Sequence, residues 1–371
     1  MPTDEDLMLR SIRLAGNGRG NVSPNPMVGC VIVKGGKIIG EGYHAKFGEA
    51  HAEVNAIRSA SESVEGANVY VNLEPCDFYG KTPPCTDLLI EKHVRKVHVA
   101  MLDPNPRVNG KGIEKLREAG IEVELGLASK QAEKLNEVFV KFITKKSPFV
   151  ILKVAQSIDG KIAIKNGNSS RVSRREKYIT SRESLRKVHE LRAEYDAVLV
   201  GAGTINADDP ELNVRFVKGR SPVKIVVDGN LSSPVDSRVF RAGKTILFHS
   251  SRISVGSKRT RVRIEAFTKQ GVGLVPMRSD SKGMIALEDV LKNAASMDIA
   301  SILVEGGASI FSQFIKSKLA DKIQLFISSK ILGQGLSFAD NFELKDLSKA
   351  PRIEQVEISQ IGFDWLLTGY F

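Results

Sequence analysis

Two α/β domains in one chain are what this sequence predicts, on three observations. The chain has 371 residues, which is long for a single hydrophobic core. A short polar joint with a proline, Lys145-Lys146-Ser147-Pro148, interrupts it. On both sides of that joint, short β-branched runs alternate with helical patterns, the mark of a layered α/β architecture. The boundary falls after Lys146, giving domains 1–146 and 147–371.

Composition narrows the class. Hydrophobic residues make up 42% and charged residues 26%, ordinary for a globular protein. No run of about 18 apolar residues occurs, so no membrane span is predicted. The acidic start, Met1-Pro2-Thr3-Asp4-Glu5-Asp6, predicts no signal peptide. Three cysteines argue against a disulfide framework and for a reducing, cytoplasmic setting. The net charge of +11 is unevenly placed. Residues 1–146 hold 20 Lys+Arg against 19 Asp+Glu, and residues 147–371 hold 34 against 24. The basic excess of the second half is either solvated surface or a site for phosphorylated small molecules.

The first half reads in order as follows. Thr3-x-x-Asp6 is a helix-start signal ahead of helical spacing from Leu7 to Ala15, and Gly16 and Gly18 end that helix. Ser23-Pro24-Asn25-Pro26 is rigid extended chain. Residues 28–33 and 37–43 form a hairpin around Lys34-Gly35-Gly36, with Cys30 as a buried apolar thiol. Residues 51–60 are a helix whose first turn carries His51 and Glu53. A strand at 69–72 leads to Glu74-Pro75-Cys76, and Cys85 opens a further helix. Helix starts suit thiolate ligands, because the positive dipole end favours the thiolate. Strands at 96–101 and 121–125 and helices at 111–120 and 129–144 complete the domain.

Chemistry concentrates in His51-Ala52-Glu53, Cys76 and Cys85. One imidazole and two thiolates are metal donors, and Glu53 lies too close to His51 in sequence to be a routine further ligand. Together they spell H-x-E…P-C…C, the pattern of zinc-dependent deaminases. A structural zinc site would more often have four protein ligands; three leave a position for water, whose pKa the metal lowers toward about 7. Glu53 is then the proton carrier. The spacing departs from the usual C-x-x-C: eight residues, 77–84, separate the cysteines, among them Lys81 and Thr82.

In the second half a strand at 149–157 ends in Ser157-Ile158-Asp159-Gly160. A helix at 183–194 precedes a strand at 197–200 that enters Gly201-Ala202-Gly203-Thr204. Strands at 224–228, 245–249 and 301–304, helices at 287–295 and 310–318, and a strand at 322–329 follow. Gly201-Ala202-Gly203 is a weak dinucleotide signal, since Asn206 stands where the fingerprint has Gly or Ala. Glu305-Gly306-Gly307 joins a strand to a helix, where backbone N–H groups meet phosphate. The two glycine turns are candidates for the two ends of one dinucleotide. The run Lys258-Arg259-Thr260-Arg261-Val262-Arg263 reads as a solvated face.

These motifs resemble the RibD family of bifunctional deaminase–reductases of riboflavin biosynthesis. The shared stretches are Ser23-Pro24-Asn25-Pro26-x-Val28-Gly29, Gly48-x-x-His51-Ala52-Glu53, Glu74-Pro75-Cys76 to Gly80-Lys81-Thr82-Pro83-Pro84-Cys85, and Asp103-Pro104-Asn105-Pro106. In the second half they are Lys153-x-Ala155-x-Ser157-x-Asp159-Gly160, Val200-Gly201-x-Gly203-Thr204, Asp208-x-Pro210-x-Leu212-x-x-Arg215 and Glu305-Gly306-Gly307. The resemblance implies a cytidine-deaminase-like α/β/α domain followed by a dihydrofolate-reductase-like α/β domain, with Zn2+ and NADPH as cofactors. It implies that Asn25 holds the pyrimidine and that Lys81, Thr82 and Asn105 help bind a ribose phosphate. It carries substrate contacts to Lys153, Arg192, Leu212, Arg215 and Glu305. It carries NADPH contacts to Tyr178, Thr204, Asp208, Gly307, Ala308 and Ser309. It implies a homodimer formed through the reductase half. Residues 168–180 depart from the family: the stretch is longer and more basic, Tyr178 replaces a tryptophan, and a family substrate serine has no equivalent. A nucleic-acid base deaminase with a basic accessory domain is the competing class, and a non-catalytic zinc scaffold a third. The near-neutral first half and the wide cysteine spacing speak against the nucleic-acid enzyme, and Glu53 against the scaffold.

Overall fold

The computed structural model describes residues 2–80, 83–164, 178–253 and 257–371. Lys81, Thr82 and the basic stretch 168–177 lie outside the described residues. The chain forms two compact units, Met1–Ser147 and Pro148–Phe371. Among the described residues no helix is long and apolar enough to cross a membrane.

The first unit runs α1 (Asp4–Ala15), β1 (Gly29–Lys34), β2 (Lys37–Tyr43), α2 (Ala52–Arg58), β3 (Asn68–Val71), α3 (Cys85–Glu91), β4 (Lys96–Val99), α4 (Lys111–Glu118), β5 (Glu122–Leu125), α5 (Ser129–Leu135) and α6 (Glu137–Lys145). Its sheet has the order β2-β1-β3-β4-β5. β1 is antiparallel to β2 and β3, and β3, β4 and β5 are parallel. Successive side chains of a strand face opposite ways. Cys30 and Ile32 of β1 therefore pack with Ala52, Ala56, Leu89 and Leu116 of α2, α3 and α4. Val31 and Val33 pack with Leu7, Met8, Ala132 and Phe139 of α1, α5 and α6. Helices thus cover both faces, in three layers.

Local chemistry sets the elements. Thr3 Oγ1 accepts the Asp6 N–H (3.2 Å), and Asp6 Oδ2 accepts the Thr3 N–H (3.0 Å), closing the box the sequence predicts at the start of α1. α2 lies against β2 at a separation only glycine permits. A Cβ on Gly42 would stand 2.3 Å from Ala56 N and 2.6 Å from Ala52 O. That approach fixes the start of α2, where His51 sits.

The second unit runs β6 (Phe149–Ser157), β7 (Ala163–Ile164), α7 (Arg182–Glu194), β8 (Ala197–Gly201), α8 (Ala202–Asp208), β9 (Val223–Val227), β10 (Thr245–Ser250), α9 (Lys258–Lys269), β11 (Gly273–Met277), α10 (Leu287–Ser296), β12 (Ser301–Val304), α11 (Ala308–Lys316), β13 (Lys322–Ser328), β14 (Gly335–Leu336), β15 (Glu354–Ile361) and β16 (Asp364–Tyr370). The main sheet has the order β11-β10-β9-β8-β12-β6-β13-β16-β15. All neighbours from β11 to β13 are parallel, and β16 and β15 close the edge antiparallel. β7 and β14 pair separately. One core lies under Val150, Leu152 and Leu199 with Leu291 and Phe314. The other lies under Val198, Val200 and Leu247 with Ile205 and Phe267.

The structure corrects several expectations. The helix predicted over 129–144 is two helices, broken at Asn136. Asn136 is buried, its Oδ1 accepts the Met27 N–H (2.8 Å) and its Nδ2 donates to Met27 O (3.0 Å), so a contact distant in sequence overrides local helix preference. His51 caps α2 and does not lie within its first turn. Cys76 stands in the loop after β3, and Cys85 alone opens a helix, as expected of it. The basic run at 258–263, by contrast, is largely exposed at the start of α9, in keeping with a solvated face. The hairpin β15–β16 went unpredicted, because β15 is exposed along almost its whole length and shows no buried face.

Asn136→Ala removes its two hydrogen bonds to Met27 from the segment carrying Asn25, leaving the one from Asn72 Nδ2 to Met27 O (3.0 Å). It should cost about 1–3 kcal/mol of stability, read as a shift of the denaturant midpoint.

Candidate active sites

In the first unit, His51 comes from the cap of α2, Cys85 from the first residue of α3, and Cys76 from the loop between β3 and α3. Their donor atoms all lie within 4.8 Å of one another. His51 Nδ1 is 3.3 Å from Cys85 Sγ and 3.6 Å from Cys76 Sγ. The main-chain N–H of Cys85 donates to Cys76 Sγ (3.4 Å). The start of α3 therefore supports the thiolate of Cys76 as well as carrying Cys85. Donation from the Cys85 side chain, and then from His51, draws the Cys76 thiol well below its ordinary pKa. One imidazole and two cysteine sulfurs are a donor set that suits zinc.

Glu53, in the first turn of α2, is 3% exposed, and its Oε2 is buried with no hydrogen-bond partner. Burial raises its pKa above the usual carboxylate range. An orphaned carboxylate oxygen beside three metal donors is the arrangement a proton carrier needs.

Asn25 reaches this cluster through a residue the sequence reading missed. His44 is buried, its Nδ1 lies 3.1 Å from Ala50 O, and its Nε2 lies 3.3 Å from Asn25 Nδ2. A carbonyl can only accept, so Nδ1 carries the proton and Nε2 accepts from Asn25. The His44 ring stands edge-on to His51, with centroids 5.5 Å apart. A single histidine after a strand carries no sequence pattern, which is why it was not found.

Glu74, which the sequence marks only as the residue before Pro75-Cys76, holds the site together. It is 3% exposed. Its Oε2 accepts the N–H groups of Asp103 (3.1 Å) and Gly110 (2.9 Å), and its Oε1 those of Gly112 (2.9 Å) and Ile113 (3.4 Å). It thereby ties the Cys76 loop to the turn bearing Asn105 and to the start of α4. In that turn Asp103 Oδ1 accepts the Asn105 N–H (2.8 Å).

In the second unit a cavity of about 1040 Å³ opens at the C-terminal ends of the parallel strands. Tyr178, Thr204, Asp208, Gly307, Ala308 and Ser309 all line it, as do Lys153, Arg192, Arg215 and Glu305. The volume lies at the upper end of ligand pockets, room for a dinucleotide and a second molecule. The two glycine turns meet there: a Cβ on Gly201 would stand 2.8 Å and one on Gly306 2.7 Å from side-chain atoms of Ile310. A Cβ on Gly307 would be 3.5 Å from Thr204 Oγ1. Leu212 is placed differently. Its side chain is buried in the apolar cluster of Val198 and Phe240 and does not line the cavity.

Charge is concentrated at Glu305. Arg192 grips it with two bonds, Nε to Oε1 (2.6 Å) and Nη2 to Oε2 (2.9 Å), and Lys153 Nζ is 3.4 Å from Oε2. Burial alone would raise the Glu305 pKa, but Arg192 and Lys153 outweigh it and bring it to about 2. Glu305 is therefore an acceptor and never a proton donor near neutrality. Arg215 is paired with Glu211, and Arg238 bridges Glu211 to Asp209.

Fold and sites define a class: a zinc-type pyrimidine deaminase joined to a nicotinamide-dependent reductase. Residues 1–101 match the cytidine and deoxycytidylate deaminase zinc-binding region, and residues 148–367 match the RibD C-terminal domain. The riboflavin biosynthesis protein RibD of Aquifex aeolicus is 39% identical, over 98% of this chain and 97% of its own. The Thermotoga maritima diaminohydroxyphosphoribosylaminopyrimidine deaminase/5-amino-6-(5-phosphoribosylamino)uracil reductase is 41% identical, with TM-score 0.83 over 99% of this chain and 98% of its own. Acinetobacter baumannii RibD is 34% identical, with TM-score 0.85 over 99% and 98%. The chain belongs to the RibD family: it is a bifunctional deaminase and reductase of riboflavin biosynthesis, with zinc and NADPH as cofactors.

Glu74→Ala should lower the zinc affinity of the first unit about ten- to a hundredfold, as loss of a ligand-orienting partner does. Competition with a chromophoric chelator reads this directly.

Proposed function

We propose that the first unit deaminates 2,5-diamino-6-(5-phosphoribosylamino)pyrimidin-4(3H)-one, and that the second reduces the ribosyl side chain of the product to give 5-amino-6-(5-phosphoribitylamino)uracil. The observation that carries the first step is the buried, unpartnered Oε2 of Glu53 in the unit that holds the His51, Cys76 and Cys85 donors. Zinc bound by these three supplies a Lewis acid that makes water nucleophilic at neutral pH. Glu53 takes the proton from the attacking water and passes it to the departing amino nitrogen, so water is consumed and ammonia released. Asn25, whose Nδ2 is committed to His44, offers its Oδ1 to the pyrimidine edge. Asn105 is the contact to the ribose phosphate, with Lys81 and Thr82 beside Cys85 in the sequence.

In the second unit NADPH supplies the hydride, and the protein supplies placement. Thr204, Asp208, Tyr178 and the Gly307-Ala308-Ser309 turn hold the cofactor. Lys153 and Glu305 orient the ribosyl carbon that is reduced. Arg192, through the Nη1–H not spent on Glu305 or Asn213, and Arg215 take the phosphate as charged N–H donors. Leu212 serves through its main chain, its side chain being in the core. The three free cysteines suit a cytoplasmic setting. We also assign a homodimer formed through the second unit; its supports are the family resemblance and the exposed edge strand β15.

The test supplies the phosphorylated diaminopyrimidinone with zinc and follows ammonia and NADPH absorbance. Glu53→Ala should cut ammonia release about 10²–10⁴-fold, while deaminated substrate still oxidises NADPH. Unchanged ammonia release by that variant sinks the proton-carrier role. Removal of zinc by a chelator should stop ammonia release and spare NADPH oxidation of deaminated substrate. Lys153→Ala should do the reverse. Ammonia production without any NADPH oxidation by the intact enzyme would overturn the second activity.

A further inference from the structure

His189 lies on α7 one turn before Arg192, is 3% exposed, and lines the reductase cavity. Its Nδ1 is 3.0 Å from the main-chain N of Arg215, and its Nε2 is 3.5 Å from Arg192 Nη1. Both neighbours are donors, and neither can accept. A neutral imidazole has one acceptor nitrogen, and an imidazolium has none. The shorter, main-chain contact claims that acceptor, which leaves the ring proton on Nε2.

The surroundings keep the ring neutral. Burial, then the charges of Arg192 and Arg215, bring the His189 pKa down to about 4, against the opposing pull of Glu305. The Nε2–H therefore faces a guanidinium that also carries protons. Donor meets donor in a buried place, and such a pair needs an acceptor between them. Glu305 does not fill that role. Its Oε1 receives Arg192 Nε, and its Oε2 receives Arg192 Nη2 and Lys153. Arg192 Nη1 spends one hydrogen on Asn213 O (3.1 Å), which leaves its second. One face of the imidazole is closed by the Phe216 ring, 4.4 Å between centroids.

We propose that His189 is a phosphate ligand of the reductase site. Its Nε2–H and the second Arg192 Nη1–H converge on one oxygen of the substrate's phosphate, while its Nδ1 fixes the main chain of Arg215. This rests on the reading of the reductase substrate as a phosphorylated ribosylamino pyrimidine. The same chemistry would suit a phosphate of the dinucleotide, so the experiment separates the two.

Binding of the deaminated substrate, with and without its phosphate, is measured by calorimetry on zinc-loaded full-length enzyme holding NADP⁺, which prevents turnover. His189→Asn keeps an acceptor at the place of Nδ1 and removes the Nε2–H. It should weaken the phosphorylated form about ten- to a hundredfold, the scale of one hydrogen bond to a charged group. The unphosphorylated form should change less than about threefold. His189→Gln returns an N–H near the place of Nε2 and should restore most of the preference for phosphate. Ammonia release by the first unit and the thermal midpoint report folding. Equal weakening of both forms, or no recovery in His189→Gln, overturns the proposal. Weakened binding of NADPH with substrate discrimination intact moves the contact to the cofactor and overturns it too. If the parent enzyme itself does not distinguish the two forms, the phosphorylated-substrate reading fails, and the role of His189 with it.

Discussion

A buried carboxylate that accepts four main-chain N–H groups organises the deaminase unit. Glu74 has almost no access to water, and a charge so placed is costly unless its lone pairs are filled. They are filled from two segments about 30 and 40 residues further along the chain, the 103–110 turn and the start of α4. Because Pro75 and Cys76 follow immediately, a metal ligand and a substrate-binding turn are set by one side chain. The approach is close enough that a Cβ on Gly112 would stand 2.2 Å from Pro75 O. Stability and ligand geometry in this unit are thus the same contacts.

The reductase unit solves a related problem with opposite charges. Glu305 is buried at the end of β12 and is compensated by Arg192 from α7 and Lys153 from β6. Lys153 and Glu305 are brought together because β12 and β6 are neighbours in the sheet, and Arg192 reaches them from the helix α7. Two cations against one carboxylate leave a positive remainder at this end of the cavity, where His189 and Arg215 also line the wall. An anionic ligand is favoured there, and the general basic excess of the second half is not needed to explain it. Much of that excess lies elsewhere, as on α9, where Arg263 donates to Ser233 O and lies over the Phe267 ring.

What was legible in the chain followed from residue identity at short range. His51, Glu53, Cys76 and Cys85 could be read because few residue types bind zinc or carry protons, and the spacing joined them. The strand–helix alternation, the Thr3 cap and the glycine turns were legible because their causes lie within a few residues. The break at Asn136 was not, because its partner Met27 is 109 positions away. His44 and His189 were not, because a lone histidine gains its meaning from what faces each ring nitrogen. Leu212 was read as a contact from its place in a motif, and only packing showed its side chain turned into the core.

The sequence by itself determined the two-domain α/β plan, the donor set for the metal, and the pairing of a deamination with a reduction. The first two depend on chemical type and local spacing, which a linear chain states openly; the third came from the resemblance of its motifs to the RibD family. Tertiary structure alone decided how the site is held: the four N–H groups on Glu74, the shared ion pair of Glu305, and the tautomers of His44 and His189. Each is a hydrogen-bond count, and such a count closes only when groups distant in the chain are brought within about 3 Å.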